Sequence, residues 1–332
     1  MKRLRAASPA SAAWMAALFL CSRALCAQEA PVAPEPPPVS PSEDTAAAAG
    51  EIRFVHYNLK NWLEMERRVR GEVTALAPKP EAEKAAVVRI LAAQKPDILG
   101  ICEIGPEKDV LDLQARLKSS GVDLPHYFVL DAADKERHVA LLSRFPITAN
   151  NSAAALTYTI GEAVFPFQRG ILDATLQVAP DYTLRVMGNH LKSRREIAEG
   201  DQAVMRRNEA LLVREHAEKI LEAGPETNLL IYGDFNDTRN EQPIKVIQGR
   251  FGEKGYLRDL WLADADGHRF TYYWSFADTY DRIDFAFVSD GLWPEIDSKK
   301  SFIAKDADWL KASDHRPLVI TITPQNKASR RR

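Results

Sequence analysis

The stretch "LLIYGDFNDT", residues 229–238, ends an apolar run with Asp234, Asn236 and Asp237 crowded around one phenylalanine. Other apolar runs release polar groups in the same way. "HYNLKNW" gives Asn58 and "GICEIG" gives Glu103; "MGNHLKSRR" gives Asn189, His190, Lys192, Arg194 and Arg195. "YDRIDF" gives Asp281 and Asp284, and "ASDHRP" gives Asp314 and His315. Carboxylate and amide oxygens with no thiolate cluster suit a hard cation such as Mg²⁺ or Mn²⁺, which keeps several waters and takes few protein ligands. The histidines lack zinc-site spacing, which argues against a dedicated zinc centre. Hydrolysis of a phosphate ester needs a metal to neutralise phosphoryl oxygens, a carboxylate to orient and deprotonate water, and donors for the spreading charge. Asp234 and Asn236, two residues apart, project to one side and can grip the attacking water and the phosphate together. Asp237 is expected to alternate away and to tolerate substitution.

These groups need elements to hold them. The alternation of apolar residues predicts strands at "IRFVHYNL", "DILGICEI", "HVALLS", "ILDATLQV", "TLRVMGNH", "NLLIYGD", "RIDFAFVS" and "PLVITI". Residues 81–94 and 202–222 carry apolar residues at helical spacing. A short Ala-Pro-Asp turn joins "ILDATLQV" to "TLRVMGNH", so the sheets cannot be purely parallel. Two packed mixed sheets flanked by helices fit best, and polar groups beyond the strand ends would converge at one edge. Cys102, beside Glu103, is expected to face the core; Tyr272, Tyr273 and Trp274 could stack a base or sugar, with core or edge-strand packing the favoured role. His56, His126, His138, His216 and His268 belong to no motif and receive no role.

Composition narrows the setting. The N-terminus "MKRLRAASPASAAWMAALFLCSRALCAQ" has a basic start, a short apolar stretch and small residues near Ala24–Ala27, which predicts a secretory signal over residues 1–26. Its cleavage removes Lys2, Arg3, Arg5 and Arg23 of 44 basic residues and none of 46 acidic ones, leaving 40 against 46, a net charge of −6. That balance argues against a general polyanion-coating protein. Of three cysteines only Cys102 survives cleavage, so no intrachain disulfide can form. Residues 27–50 are rich in proline and alanine and predict a disordered linker. One catalytic domain is expected over 51–323, followed by a basic disordered tail at 324–332. No transmembrane segment is expected after signal cleavage, and a secreted or periplasmic location follows.

In this order and at these separations, "HYNL", "CEIG", "NHLKS", "GDFND", "RIDF" and "SDHRP" resemble the endonuclease/exonuclease/phosphatase superfamily with the deoxyribonuclease I-like fold. The resemblance implies an α/β fold, a four-layer αββα sandwich of two mixed β-sheets flanked by helices. It implies that Glu103, Asn58 and Asp314 bind metal, that Asp234 activates water with Asn236 as its positioning partner, and that His190 and His315 act at the phosphate. Asp284 resembles the aspartate that orients the last histidine, with Asp281 as the alternative. Arg169, in "FQRGILD", corresponds to a phosphate contact. Lys192, Arg194 and Arg195 either bind neighbouring phosphates or form a solvated basic loop.

Two enzymatic readings follow: an exported metal-dependent nuclease cutting DNA or RNA, or a phosphatase or phospholipase-type enzyme acting on a substrate such as sphingomyelin or an inositol phosphate. "HLKSRR" favours nucleic acid as substrate, and the net charge leans the other way. No long exposed aromatic hairpin suited to membrane insertion is legible. A catalytically dead binding module would have lost site residues that are all present here. No stable protein partner is inferred.

Overall fold

The computed structural model describes residues 50–69 and 72–325. The expected leader, the linker up to residue 49 and the tail from 326 lie outside the described residues.

The strand Ile52–Trp62 organises the first half of the chain. Its residues alternate between two buried faces: Phe54 enters the core between the sheets, whereas Val55, Tyr57 and Leu59 pack beneath helices. It pairs antiparallel with Leu318–Ile322 and parallel with Ile98–Ile104. The full order of this six-stranded sheet is Phe302–Ile303, Leu318–Ile322, Ile52–Trp62, Ile98–Ile104, His138–Ser143 and His126–Leu130. The second six-stranded sheet runs Arg258–Asp259, Asp284–Val288, Leu229–Asp234, Tyr182–His190, Leu172–Ala179 and Ile147–Asn150. Both are mixed, as expected, and the strands flanking Pro180 form the expected hairpin.

Each sheet has one central parallel pair joined by a helix. Glu81–Gln94 connects Ile52–Trp62 to Ile98–Ile104, and Gln202–Ala223 connects Tyr182–His190 to Leu229–Asp234. The second of these helices starts at Asp201, whose side chain accepts from the amides of Ala203 and Val204 at 2.7 and 3.3 Å. Glu81–Gln94 and Glu107–Ser119 cover the outer face of the first sheet; Gln202–Ala223 and Gln242–Gln248 cover that of the second. The inner faces meet over Phe54, Cys102, Leu141, Val186, Tyr232 and Ile320, completing the four layers. Asn58 and Glu103 lie at the ends of one parallel pair, and His190 and Asp234 at the ends of the other.

Tyr232 sets how closely the sheets approach. Its ring reaches from the second sheet over Gly100 of the first, where a Cβ would come within 2.3 Å of it. The same ring lies against Phe54 and His56 at centroid distances of 4.9 and 5.3 Å. Gly100→Ala should therefore destabilise the protein by about 1–3 kcal/mol, the usual cost of forcing atoms into a filled core. Urea unfolding checks this against Gly50→Ala, a position with nothing within 4 Å; equal stability of the two variants would refute it.

Candidate active site

Where the paired strands end, regular geometry ends too. The register with neighbouring strands shifts between Asn58 and Trp62 and between Ile101 and Ile104. At this break Glu103 adopts φ 58°, a left-handed conformation that a long side chain seldom takes. Its Oε2 accepts from the Asn61 amide at 3.1 Å, and its Oε1 lies 3.9 Å from His190 Nε2. On the second sheet, Asp234 is buried and held from both sides. Asn58 Nδ2 donates to its Oδ2 across the sheet interface at 3.0 Å, and the Asn236 amide donates to its Oδ1 at 2.9 Å. Asn236 needs φ 53° for this turn, which asparagine tolerates well. Its own Nδ2 donates to the Leu191 carbonyl at 3.0 Å, tying the turn to the loop after His190.

The two imidazoles face Asp234 with Nε2, His190 at 3.6 Å and His315 at 3.7 Å. Behind His315, its Nδ1 meets Asp284 Oδ2 at 2.8 Å, and the other oxygen of Asp284 meets His56 Nε2 at 3.2 Å. His56 Nδ1 in turn meets the Gly100 carbonyl at 3.1 Å. Asp284 is thus the partner of the last histidine, and Asp281 pairs with Arg194 at 2.8 Å instead.

Burial and charge separate the roles of these groups. Burial, and then the negative charges of Asp284 and Glu103, push the Asp234 carboxyl up to about 7 against the pull of His315. Burial alone would lower His315, yet the charges of Asp284 and Asp234 outweigh it and raise the imidazole to about 10. Burial likewise opposes an ionised Asp284, but the His315 charge and hydrogen bonds from His315 and His56 hold it well below the usual carboxylate range. His190 is the opposite case: burial, helped by Arg169 and the His315 charge, keeps it well below its ordinary value and neutral. Its Nδ1 is buried without a partner, which places the single proton on Nε2, toward the carboxylates. Glu103, His190 and Asp234 offer donor atoms within 4.8 Å of one another. Two crowded carboxylates beside a neutral imidazole fit a divalent cation.

The sequence matches the profile of the Endonuclease/Exonuclease/phosphatase family over residues 69–315. The chain belongs to that family. The family's members are hydrolases of phosphoric esters, and so is this enzyme; dependence on a divalent metal is typical of the family. An endonuclease/exonuclease/phosphatase protein from Bacteroides vulgatus shares the fold at TM-score 0.56 and 17% identity, over 83% of this chain and 99% of that one. Truncated TDP2 from Caenorhabditis elegans aligns at TM-score 0.54 and 14% identity, over 82% of this chain and 98% of that one. Sphingomyelinase C from Streptomyces griseocarneus aligns at TM-score 0.53 and 14% identity, over 82% and 99%. At such identities the likeness is one of fold. No curated protein matches the sequence.

Within this family member the remaining sequence candidates lie around the central group rather than in it. Asp314 is part-exposed, with Oδ2 3.7 Å from Lys60 Nζ. Arg169 pairs with Asp134 at 3.1 Å. Lys192 keeps Nζ 3.4 Å from Ser193 Oγ and from the Arg195 carbonyl. Arg194 is committed to the Asn236 carbonyl and to Asp281, so it braces two loops more than it offers a free hand. Three buried contributors have no role assignable from the sequence alone. His56 was readable only from its position two residues before Asn58 on the same strand face. Arg206 and Glu209 come from the helix Gln202–Ala223: Glu209 accepts from the Lys192 amide at 2.6 Å, and Arg206 pairs with Asp237 at 3.0 Å.

Two expectations need correction. Asp237 does turn away from the site, but it is buried against Arg206 rather than freely replaceable. Trp274 does not pack away as expected but belongs to a short exposed hairpin: Tyr272–Trp274 pairs with Thr279–Asp281, and Trp274, Phe276 and Tyr280 around its turn are exposed.

Asp237→Asn should therefore cost about 3 kcal/mol, because it leaves Arg206 as an uncompensated buried charge. Asp234→Asn should lower turnover by about two to four decades while leaving the melting temperature unchanged or higher, since it removes a carboxylate that its surroundings resist ionising. Paired melting and rate measurements decide; an unstable Asp234→Asn or a fully stable Asp237→Asn contradicts the assignment.

Asp284→Asn should bring the His315 titration, followed by NMR of the imidazole, down from about 10 toward about 6.5. Folded His315 holds its proton more tightly than the unfolded chain does. Its contribution to stability is therefore full below about pH 6.5 and lost as the pH rises through the folded value of about 10. The melting-temperature gap between wild type and variant should shrink over that window, and a constant gap would count against the pair.

Proposed function

We propose that this enzyme is an exported Mg²⁺- or Mn²⁺-dependent phosphodiesterase whose substrate is nucleic acid, DNA or RNA. The observation that carries the reaction class to a mechanism is the buried Asp234, raised to about 7 and flanked by a protonated and a neutral imidazole. A carboxylate with that affinity is a matched general base near neutral pH. Asp234 orients the attacking water and takes its proton, while Asn58 Nδ2 and the Asn236 amide fix both of its oxygens. His315, kept charged by Asp284, donates from Nε2 to the phosphoryl oxygens, where negative charge grows in the transition state. His190 contributes a second donor without adding a charge. Glu103, together with Asn58 and the part-exposed Asp314, would hold the cation, which would neutralise phosphoryl oxygens when bound.

Nucleic acid is supported by Lys192 and the exposed Arg195, which follow His190 directly. Export is supported by the signal pattern of residues 1–26. Among the described residues no helix is long and apolar enough to cross a membrane. A lipid phosphodiester is the second reading, favoured by the exposed Trp274, Phe276 and Tyr280 of the hairpin. Tyr272 of that hairpin lies against the His315 ring at 4.8 Å.

A hydrolysis panel of plasmid DNA, RNA, sphingomyelin vesicles and a phosphomonoester, each with Mg²⁺, Mn²⁺ or EDTA, tests both readings. Metal-dependent cleavage of a polynucleotide is the expected result, abolished by EDTA. Turnover of sphingomyelin alone would replace the nucleic-acid reading with the lipid one, and full activity in verified metal-free buffer would remove the metal from the mechanism.

A further inference from the structure

Beyond the catalytic group, at the outer edge of the second sheet, Trp261 is 47% exposed and surrounded by arginines. The guanidinium carbons of Arg239, Arg269 and Arg282 lie 4.2, 4.5 and 4.8 Å from the centre of its ring. Three cations on one ring repel one another, and the carboxylate among them is that of Asp259, whose side chain is 4% exposed. Arg282 pairs with it at 2.8 Å, and Arg239 approaches it at 3.7 Å. Arg269 donates only to the carbonyls of Trp261 and Leu262, and no ion pair is found for it among the described residues. One negative charge against three positive ones leaves a surplus, in a chain whose net charge is −2.

Two of its arginines are also close to active-site residues along the chain. Arg239 follows Asn236 by three residues, and Arg282 precedes Asp284 by two. Planar guanidinium groups stacked on an indole are held with their donors pre-aimed, which suits phosphate more than a mobile lysine would.

We infer that Arg239 and Arg269, organised by Trp261, form an accessory phosphate-binding site that engages the backbone of a polynucleotide strand away from the scissile bond. Arg282 is largely consumed by Asp259 and serves as the support of the cluster. This inference rests on the nucleic-acid reading above, which its test is arranged to separate. A small phosphodiester would reach the catalytic group without touching the cluster, whereas a strand would lie across both. The site therefore contributes to KM for polymers and not to the chemical step.

The test compares wild type with the double variant Arg239→Ala/Arg269→Ala, both shown to melt alike. Binding of a fluorescent single-stranded oligonucleotide is measured in EDTA across a salt series, and turnover is measured on the same oligonucleotide and on bis(4-nitrophenyl) phosphate. The expected result is affinity about tenfold weaker and a salt slope reduced by about 1–2, as for the loss of two phosphate contacts. KM for the oligonucleotide should rise with kcat held, and the small diester should be unaffected. Trp261→Ala should weaken binding and Trp261→Phe restore much of it, because a ring of either kind can hold the arginines. Oligonucleotide binding that is undetectable in wild type, or unchanged in strength and salt slope in the double variant, overturns the inference. Arginine-dependent binding without any cleavage of nucleic acid would leave the accessory site standing and remove the nuclease reading.

Discussion

Asp234 and Asp284 belong to the second sheet, but decisive partners of both come from the first. Asn58 reaches across to Asp234 and His56 to Asp284, and both lie on the strand Ile52–Trp62. A carboxylate buried without such donors carries a penalty of several kcal/mol. The sheet interface is therefore where the polar groups are satisfied, and the spacing of the sheets is a catalytic dimension. Tyr232 over Gly100 sets that spacing a few residues from the site. A packing contact with no chemical role thus fixes the distance over which two buried carboxylates find their hydrogen bonds.

Irregular backbone is concentrated at the same place. Of the six described non-glycine residues with positive φ, Lys60, Asn61, Glu103 and Asn236 lie in the site or beside it. Left-handed conformations at such residues cost energy and persist where surrounding bonds enforce them. At Glu103 the Asn61 amide supplies such a bond, and at Asn236 the Asp234 carboxylate and Leu191 carbonyl do. The strands are regular until the chemistry begins, and the stability of two well-filled sheets offsets the strain at their ends.

The two-sheet architecture and most of the central cluster were legible because their signals are local. Strand alternation and a polar group at a strand end can both be read within a few residues. What stayed hidden depends on partners far away in sequence. His56 in a buried strand reads as an ordinary core histidine until Asp284 is brought against it. Asp281 and Asp284 stand equally close to a catalytic role in sequence, and only the pairing of Leu229–Asp234 with Asp284–Val288 separates them. Asp237 turned away as alternation requires, but alternation says nothing of Arg206 waiting on a helix. Arg194 reads as a free phosphate hand because its acceptors lie on other loops. The aromatic hairpin was obscured because "YYWSFADTY" is apolar enough to suggest packing, and exposure is not a property of sequence.

The pairing of Ile52–Trp62 with Leu318–Ile322 joins the beginning of the described chain to its end. His56 and Asp284 are 228 residues apart, and Asn58 and Asp234 are 176 apart. Synthesis proceeds from one end, so the strand carrying His56 and Asn58 meets Ile98–Ile104 early but must wait for Asp234, Asp284 and Leu318–Ile322. During that wait its inner face, later covered by the second sheet, is an open apolar surface of the kind that invites aggregation or chaperone binding. The cluster cannot form piecemeal, since a nascent chain held short of His315 lacks the imidazole that pairs with Asp284.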